Sequence, residues 1–166
     1  MVELRFKYSK EEYIKAYRQY LISSKTISVR DISILILAIF CSVIFAITTK
    51  VNMWSVVLLV ACCFAIITGF ILYFITPIHV FNSNTKFFEE YYLAFSDKSI
   101  IFKTPTIHSE LKWDTYKKIW DNKEFYYLIQ HPKIYTIIPK RVFSSKDQVQ
   151  KFEELVSSKL KEFKHM

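Results

Sequence analysis

Glycine is nearly missing from this 166-residue chain: Gly69 is the only one, and there are four prolines. Gly69 lies inside an apolar run, so a glycine-rich loop cradling a phosphate is excluded. Turns must take any left-handed positions from Asn, Asp and Ser. Cysteine is absent outside the apolar runs. Cys41, Cys62 and Cys63 all fall within them, where a thiol acts as a small hydrophobe, so neither a disulfide framework nor a metal site follows. The histidines (His79, His108, His131 and His165) include no i, i+4 pair, and metal-ligand spacing is lacking. His131, in a turn before Pro132, and His165, in the terminal tail, read as solvated. Glu89-Glu90 sits on a predicted strand, where neighbours point to opposite faces and cannot act as an acid–base pair. Glu153-Glu154 lies on a polar helix face. We expect no catalytic residue, no cofactor and no metal.

What the chain has is hydrocarbon. Residues 32–49 carry no charge, and after Lys50 a second uncharged run spans 51–75. At about 1.5 Å per residue, each is long enough for a hydrocarbon core of about 30 Å, the first only just. A signal peptide does not fit a run that starts so far in, lacks a small-residue cleavage site and is followed at once by another. The short link "TTKVN" predicts an antiparallel hairpin. Seven Lys/Arg precede the first run, fifteen follow the second, and the link holds only Lys50. That asymmetry places both termini in the cytoplasm. Thr76-Pro77 is the expected stop of the second helix. Neither run contains an ion-pathway carboxylate or base, so an anchor is expected rather than a transporter. Gly69 with Ala65 four residues before it is only a slight pointer to helix–helix contact. The net charge of +8 is scattered among acids and suits an anionic leaflet; no nucleic-acid partner is expected.

The flanking segments read as one soluble body. Val2, Leu4, Phe6 and Tyr8 alternate with Glu3, Arg5 and Lys7, the period of a half-buried strand. A lone strand is not stable, and the sheet predicted after residue 77 is the only one available to pair with it. "SKEEYIKAY" follows, with Ser9 and Glu12 at capping-box spacing. Tyr13, Ile14, Tyr17, Tyr20 and Leu21 share one helix face, suited either to the membrane surface or to packing on the soluble domain. After a loop at 82–84, strands are predicted at 87–95, 99–103, 107–113, 124–130 and 134–138. A weaker one at 116–120 could be a helical turn. Their short links, such as His131-Pro132-Lys133, require antiparallel pairing. Ser145 and Gln148 then cap a helix whose stripe is Val149, Phe152, Val156, Leu160 and Phe163; Lys161 belongs to its polar side. This stripe must cover a face or open end of the sheet. The expected organisation is 1–30, a strand and helix packing with the C-terminal domain; 31–76, a transmembrane hairpin with spans 32–49 and 53–75; and 77–166, the sheet with its terminal helix.

The stretch "LKWDTYKKIWDNKEFYYLIQHPKIYTIIPKRVFSS" at 111–145 resembles YcxB-like proteins. A Trp ends one strand, an aromatic strand follows a short acidic turn, and "IIPKRVF" leads into a capped helix. The strand, "YSKEEYIKAY" helix and paired spans before it fit the same layout. The resemblance implies a small multi-pass protein of the bacterial cytoplasmic membrane. Its expected fold is α+β: an antiparallel sheet or partly open pleckstrin-homology-like barrel closed by a C-terminal helix. It implies no established activity and carries over no functional residue. The expected function is a non-enzymatic, membrane-anchored binding or regulatory module with a protein or peptide partner. The alternative is an immunity protein against a toxin acting at the inner membrane. The candidate contacts for an anionic ligand or lipid headgroup are two cationic pairs, Lys140-Arg141 and Lys117-Lys118.

Overall fold

A computed structural model describes residues 1–48, 52–132, 134–160 and 162–165. The chain divides into two units. One joins Met1–Ala16 to Asn82–Met166, and the other is Tyr17–Phe81.

In the first unit, β1 (Val2–Phe6) buries Val2, Leu4 and Phe6 and exposes the residues between. Its neighbour is β2 (Tyr91–Phe95), antiparallel, with Leu4 opposite Leu93. The opening strand is thus paired by a segment some ninety residues on. β3 (Ser99–Lys103) and β4 (His108–Lys112) complete a four-stranded sheet in the order β1-β2-β3-β4. A 3-10 turn at Trp113–Thr115 leads to the second sheet. That sheet holds β5 (Lys118–Asp121), β6 (Phe125–His131), β7 (Ile134–Pro139) and β8 (Phe163–His165), ordered β7-β6-β5-β8. β6 is its spine, buried from Phe125 to Ile129.

Aromatic packing explains why two covers are needed. Tyr126 meets Phe152 of α5 (Lys146–Lys159) at 5.1 Å, and Phe152 also meets Phe95 of the first sheet at 5.0 Å. On the alternate side of β6, the Tyr127 hydroxyl donates to the Ala16 carbonyl in α1 (Lys10–Ser23) at 3.0 Å. α5 starts where its cap predicts, with the Gln148 N–H donating to Ser145 Oγ at 3.2 Å. Ser9 Oγ likewise accepts from the Glu12 N–H at 3.1 Å at the start of α1. Among the described residues no closed barrel forms. Between the β1 and β7 edges, side chains reach backbone in place of a ladder. The Tyr8 hydroxyl donates to the Ile137 carbonyl, Arg141 Nη2 to that of Lys7 at 3.0 Å, and Gln148 Nε2 to that of Glu3 at 2.9 Å.

Several expectations need correction. The strand expected at 87–95 begins only at Tyr91, because Thr85–Phe88 winds into a 3-10 turn that sets Phe87 against Tyr13 at 4.4 Å. The terminal helix ends at Lys159, so Phe163 leaves the helical stripe and enters β8. β8 pairs with β5 in parallel, so the strands are not all antiparallel. A strand arriving after an intervening helix can run either way, whereas a short hairpin cannot. The hairpin turns use no left-handed residue among those described. They close on side chains instead: Ser96 Oγ donates to Ser99 O at 2.8 Å, and Asn122 Oδ1 accepts from the Glu124 and Phe125 N–H groups at 2.9 and 2.8 Å. The only described residue with positive φ is Lys25 (φ 58°). There the Thr26 and Lys25 N–H groups return to Leu21 O and Ile22 O, each at 3.1 Å, a helix-ending motif that usually takes glycine.

The second unit contains α2 (Val29–Thr48) and α3 (Met53–Phe70), with a π-helical turn at Ile71–Ile75 and α4 (Thr76–Ser83) continuing from α3. Val29–Thr48 and Met53–Ser83 are each long and apolar enough to cross a membrane. The link residues Thr49, Lys50 and Val51 lie outside the described residues, as do Lys133 and Lys161. Asn52 and Ser55 form a reciprocal capping box at the start of α3.

Pro77 does not stop the second helix, and Asn82 and Ser83, expected in a loop, are its last residues. An uninterrupted α-helix would bond the residue-77 N–H to the Tyr73 carbonyl, and proline has no such donor. The π turn lets Ile71 O accept from both the N–H and the Oγ1 of Thr76, the latter at 3.0 Å. The freed Tyr73 carbonyl accepts from Arg18 Nε of α1 at 3.1 Å. The Arg18 guanidinium also stands over the Tyr73 and Phe74 rings, at 4.9 and 5.2 Å.

Candidate functional site

Around β6 the fold gathers charges from distant parts of the chain. An open cleft of about 460 Å³ is lined by Glu12, Lys15, Lys123, Glu124, Phe125, Lys140 and Arg141. α1 supplies Glu12 and Lys15, the β5–β6 turn supplies Lys123 and Glu124, and the 3-10 turn at Lys140–Val142 supplies the other two cations. Four cations face two carboxylates across this opening.

Most of these charges are paired. Arg141 meets Glu12 in a fork, Nε to Oε1 at 2.6 Å and Nη2 to Oε2 at 2.7 Å. That hydrogen bonding raises the guanidinium pKa further above its ordinary value. Lys15 Nζ lies 2.6 Å from Glu124 Oε1. Lys140 Nζ lies 2.9 Å from Asp121 Oδ2 and 4.4 Å above the Tyr126 ring. Asp121 is buried, and a buried carboxylate needs such a counter-charge. Behind it the Tyr126 hydroxyl donates to Glu153 Oε1 at 2.5 Å. Burial first, then the Glu153 carboxylate, pushes the Tyr126 phenol well above its usual range.

The four sequence candidates therefore fall in two places. Lys140 and Arg141 sit together at the cleft. Lys117 and Lys118 lie at β5, with Lys117 exposed and Lys118 Nζ 4.7 Å over the Trp120 ring and 3.9 Å from Glu162 Oε1. Glu12, Lys15, Glu124 and Asp121 were not singled out from sequence. The local signals were Glu12 at capping-box spacing from Ser9 and Lys15 on the polar side of the same helix, and nothing linked them to residues over a hundred positions away. His165 also differs from expectation. Its ring is exposed, yet it lies in β8 with Nδ1 2.5 Å from Asp121 Oδ1. Among the described residues, no group of three His, Cys, Asp or Glu side chains could hold a metal ion.

Residues 95–156 match the family model described as YcxB-like protein. The resemblance read from 111–145 thus stands across the stretch from the end of β2 into α5. It covers the β-side of the cleft and leaves out Glu12 and Lys15. No curated protein and no solved structure matches the chain.

Proposed function

We propose that this protein is a membrane-anchored, non-enzymatic binding or regulatory module. In this reading, α2 and the α3–α4 helix cross the bacterial cytoplasmic membrane as a hairpin with both termini in the cytoplasm. The two-sheet unit acts as a partly open pleckstrin-homology-like body that binds a protein or peptide partner.

One observation carries the anchoring. Within α2 and α3 the buried residues are Ser42, Ser55 and Cys62, while Ile34, Ile36, Phe40, Phe64 and Ile67 are exposed. A water-soluble helix pair would turn those large side chains inward, at roughly 1.5–3 kcal/mol each. Small and weakly polar residues between helices, with branched and aromatic ones outside, suit hydrocarbon as the solvent. The binding role draws on the cleft, where charges are held in fixed pairs around an opening floored by the buried Phe125. A phosphate or headgroup there would compete with Glu12 for Arg141 and with Asp121 for Lys140. Lys117 and Lys123 offer less encumbered cations.

Membrane fractionation and terminal reporters test this reading. Carbonate-washed membranes should retain the chain, and cytoplasmic reporters should be active at both ends. Recovery in the supernatant, or an extracytoplasmic signal from either terminus, would refute it.

A further inference from the structure

β5 is bordered on its outer side by a piece of the chain that is barely held. Only three residues of β8 pair with it, with Ile119, Trp120 and Asp121 opposite Phe163, Lys164 and His165. Lys164 and His165 are exposed, Phe163 is only half-buried, and so short an added strand has low local stability. Its side chains nevertheless meet specific partners. Glu162 O accepts from the Ile119 N–H at 3.0 Å, and Glu162 Oε1 lies 3.9 Å from Lys118 Nζ. Lys164 Nζ stands 5.3 Å over the Trp120 ring, which Lys118 Nζ also approaches, at 4.7 Å. His165 Nδ1 lies 2.5 Å from Asp121 Oδ1. That oxygen is fully enclosed, and the other oxygen of the same carboxylate is anchored by Lys140.

Deepening the binding role proposed above, on which this rests, we propose that the outer edge of β5 is a strand-docking site for an extended partner segment. Its pattern is acidic–aromatic–basic–basic or imidazole, and residues 162–165 are the built-in competitor. Backbone bonds to an exposed strand edge supply affinity in this mode, and side-chain subsites supply specificity. The first position pairs with Lys118, the third lies on the Trp120 face, and the fourth puts a cation or N–H donor against Asp121 Oδ1. A carboxylate at the third position would lose the cation–ring contact with Trp120, and one at the fourth would meet a buried like charge.

The test uses the full chain in detergent micelles and a fluorescein-labelled peptide, Leu-Lys-Glu-Phe-Lys-His, the sequence of residues 160–165. A variant lacking residues 161–166 should bind it at least ten-fold more tightly than the intact chain. Trp120→Ala in that background should weaken binding at least ten-fold, as should a peptide with its second Lys changed to Glu. Should the shortened chain fail to fold, the intact-length double variant Lys164→Glu/His165→Glu, which loosens the competitor without deletion, should show the same gain. Equal binding by intact and loosened chains, or binding indifferent to the Lys-to-Glu peptide, overturns the proposal. A dimer of the intact chain that disappears on removal of 161–166 also overturns it, in favour of exchange between copies. A chain that stays membrane-bound but takes no peptide sinks this proposal alone, whereas a chain found in the supernatant sinks the anchoring.

Discussion

Phe152 and Phe40 are the same side chain in opposite circumstances. Phe152 is fully enclosed, at 0% exposure, among Phe95, Tyr126 and Phe143. Phe40, midway along α2, is 63% exposed, while Ser42, two residues on, is 4%. The sheet unit sorts its residues as water demands. The helical unit sorts them the other way, the arrangement that the proposed bilayer setting would favour. Hydrophobicity alone is therefore not the signal that separates the two units. Both are rich in Ile and Phe, and the direction in which those residues point is what differs.

The sharpest test of this contrast is a pair of truncations. Phe152→Ala should destabilise the folded chain in detergent by about 3–5 kcal/mol, read by urea unfolding through tryptophan fluorescence. Phe40→Ala should cost less than about 1 kcal/mol in the same assay, since a micelle accommodates the lost volume. Equal effects would erase the distinction.

Alkaline pH offers a second contrast, confined to the sheet unit. Burial raises the phenol pKa of Tyr8, Tyr91, Tyr126 and Tyr127. The folded state therefore holds their protons more tightly than the unfolded chain, whose phenols titrate near pH ~10. The stability this contributes is fully present below that value and lost as pH rises through the folded-state values. A pH titration should show phenolate absorbance from these residues appearing together with unfolding of the sheets. Gradual ionisation with the fold intact would contradict the burial argument.

Smaller effects probe how α1 serves each unit. Arg18→Met should leave the Tyr73 carbonyl without its donor, at about 1–3 kcal/mol, and speed amide exchange around Ile71–Ile75. Unchanged exchange would mean that the π turn alone accommodates Pro77. Glu12→Gln should remove the fork with Arg141. Because the Arg141 side chain is 55% exposed, solvent screening limits the loss to about 1 kcal/mol, and a double-mutant cycle with Arg141→Met should recover that coupling. Smallest of all, Lys25→Gly should stabilise by about 1 kcal/mol, because glycine takes the left-handed geometry without the side-chain clash. A thermal-melt increase checks it.

The elements most legible from sequence were those set by neighbours in the chain. Val2, Leu4 and Phe6 announced β1 by alternation, Ser145 and Gln148 announced the start of α5, and uncharged length announced the two long helices. The misses share a cause. Thr85–Phe88 had strand-forming residues but was coiled by packing of Phe87 on Tyr13. Pro77 read as a stop, but its missing donor was accommodated by Arg18, fifty-odd residues earlier. Phe163 kept helical spacing after the helix had ended, because β5 offered an open edge. At the cleft, Lys140 and Arg141 stood out as adjacent cations, while their carboxylate partners Asp121 and Glu12 did not.

Sequence by itself determined the local choices: which segments are strands or helices, which side of each is apolar, and which stretches are long and dry enough for a bilayer. Those follow from spacing, capping and length, all read within a few residues. Only the tertiary structure decided that β1 joins β2, that β8 runs parallel along β5, and that the candidate cations are held by carboxylates. Such pairings depend on backbone groups and charges meeting across large separations in the chain, and local periodicity carries no information about which distant partner will arrive.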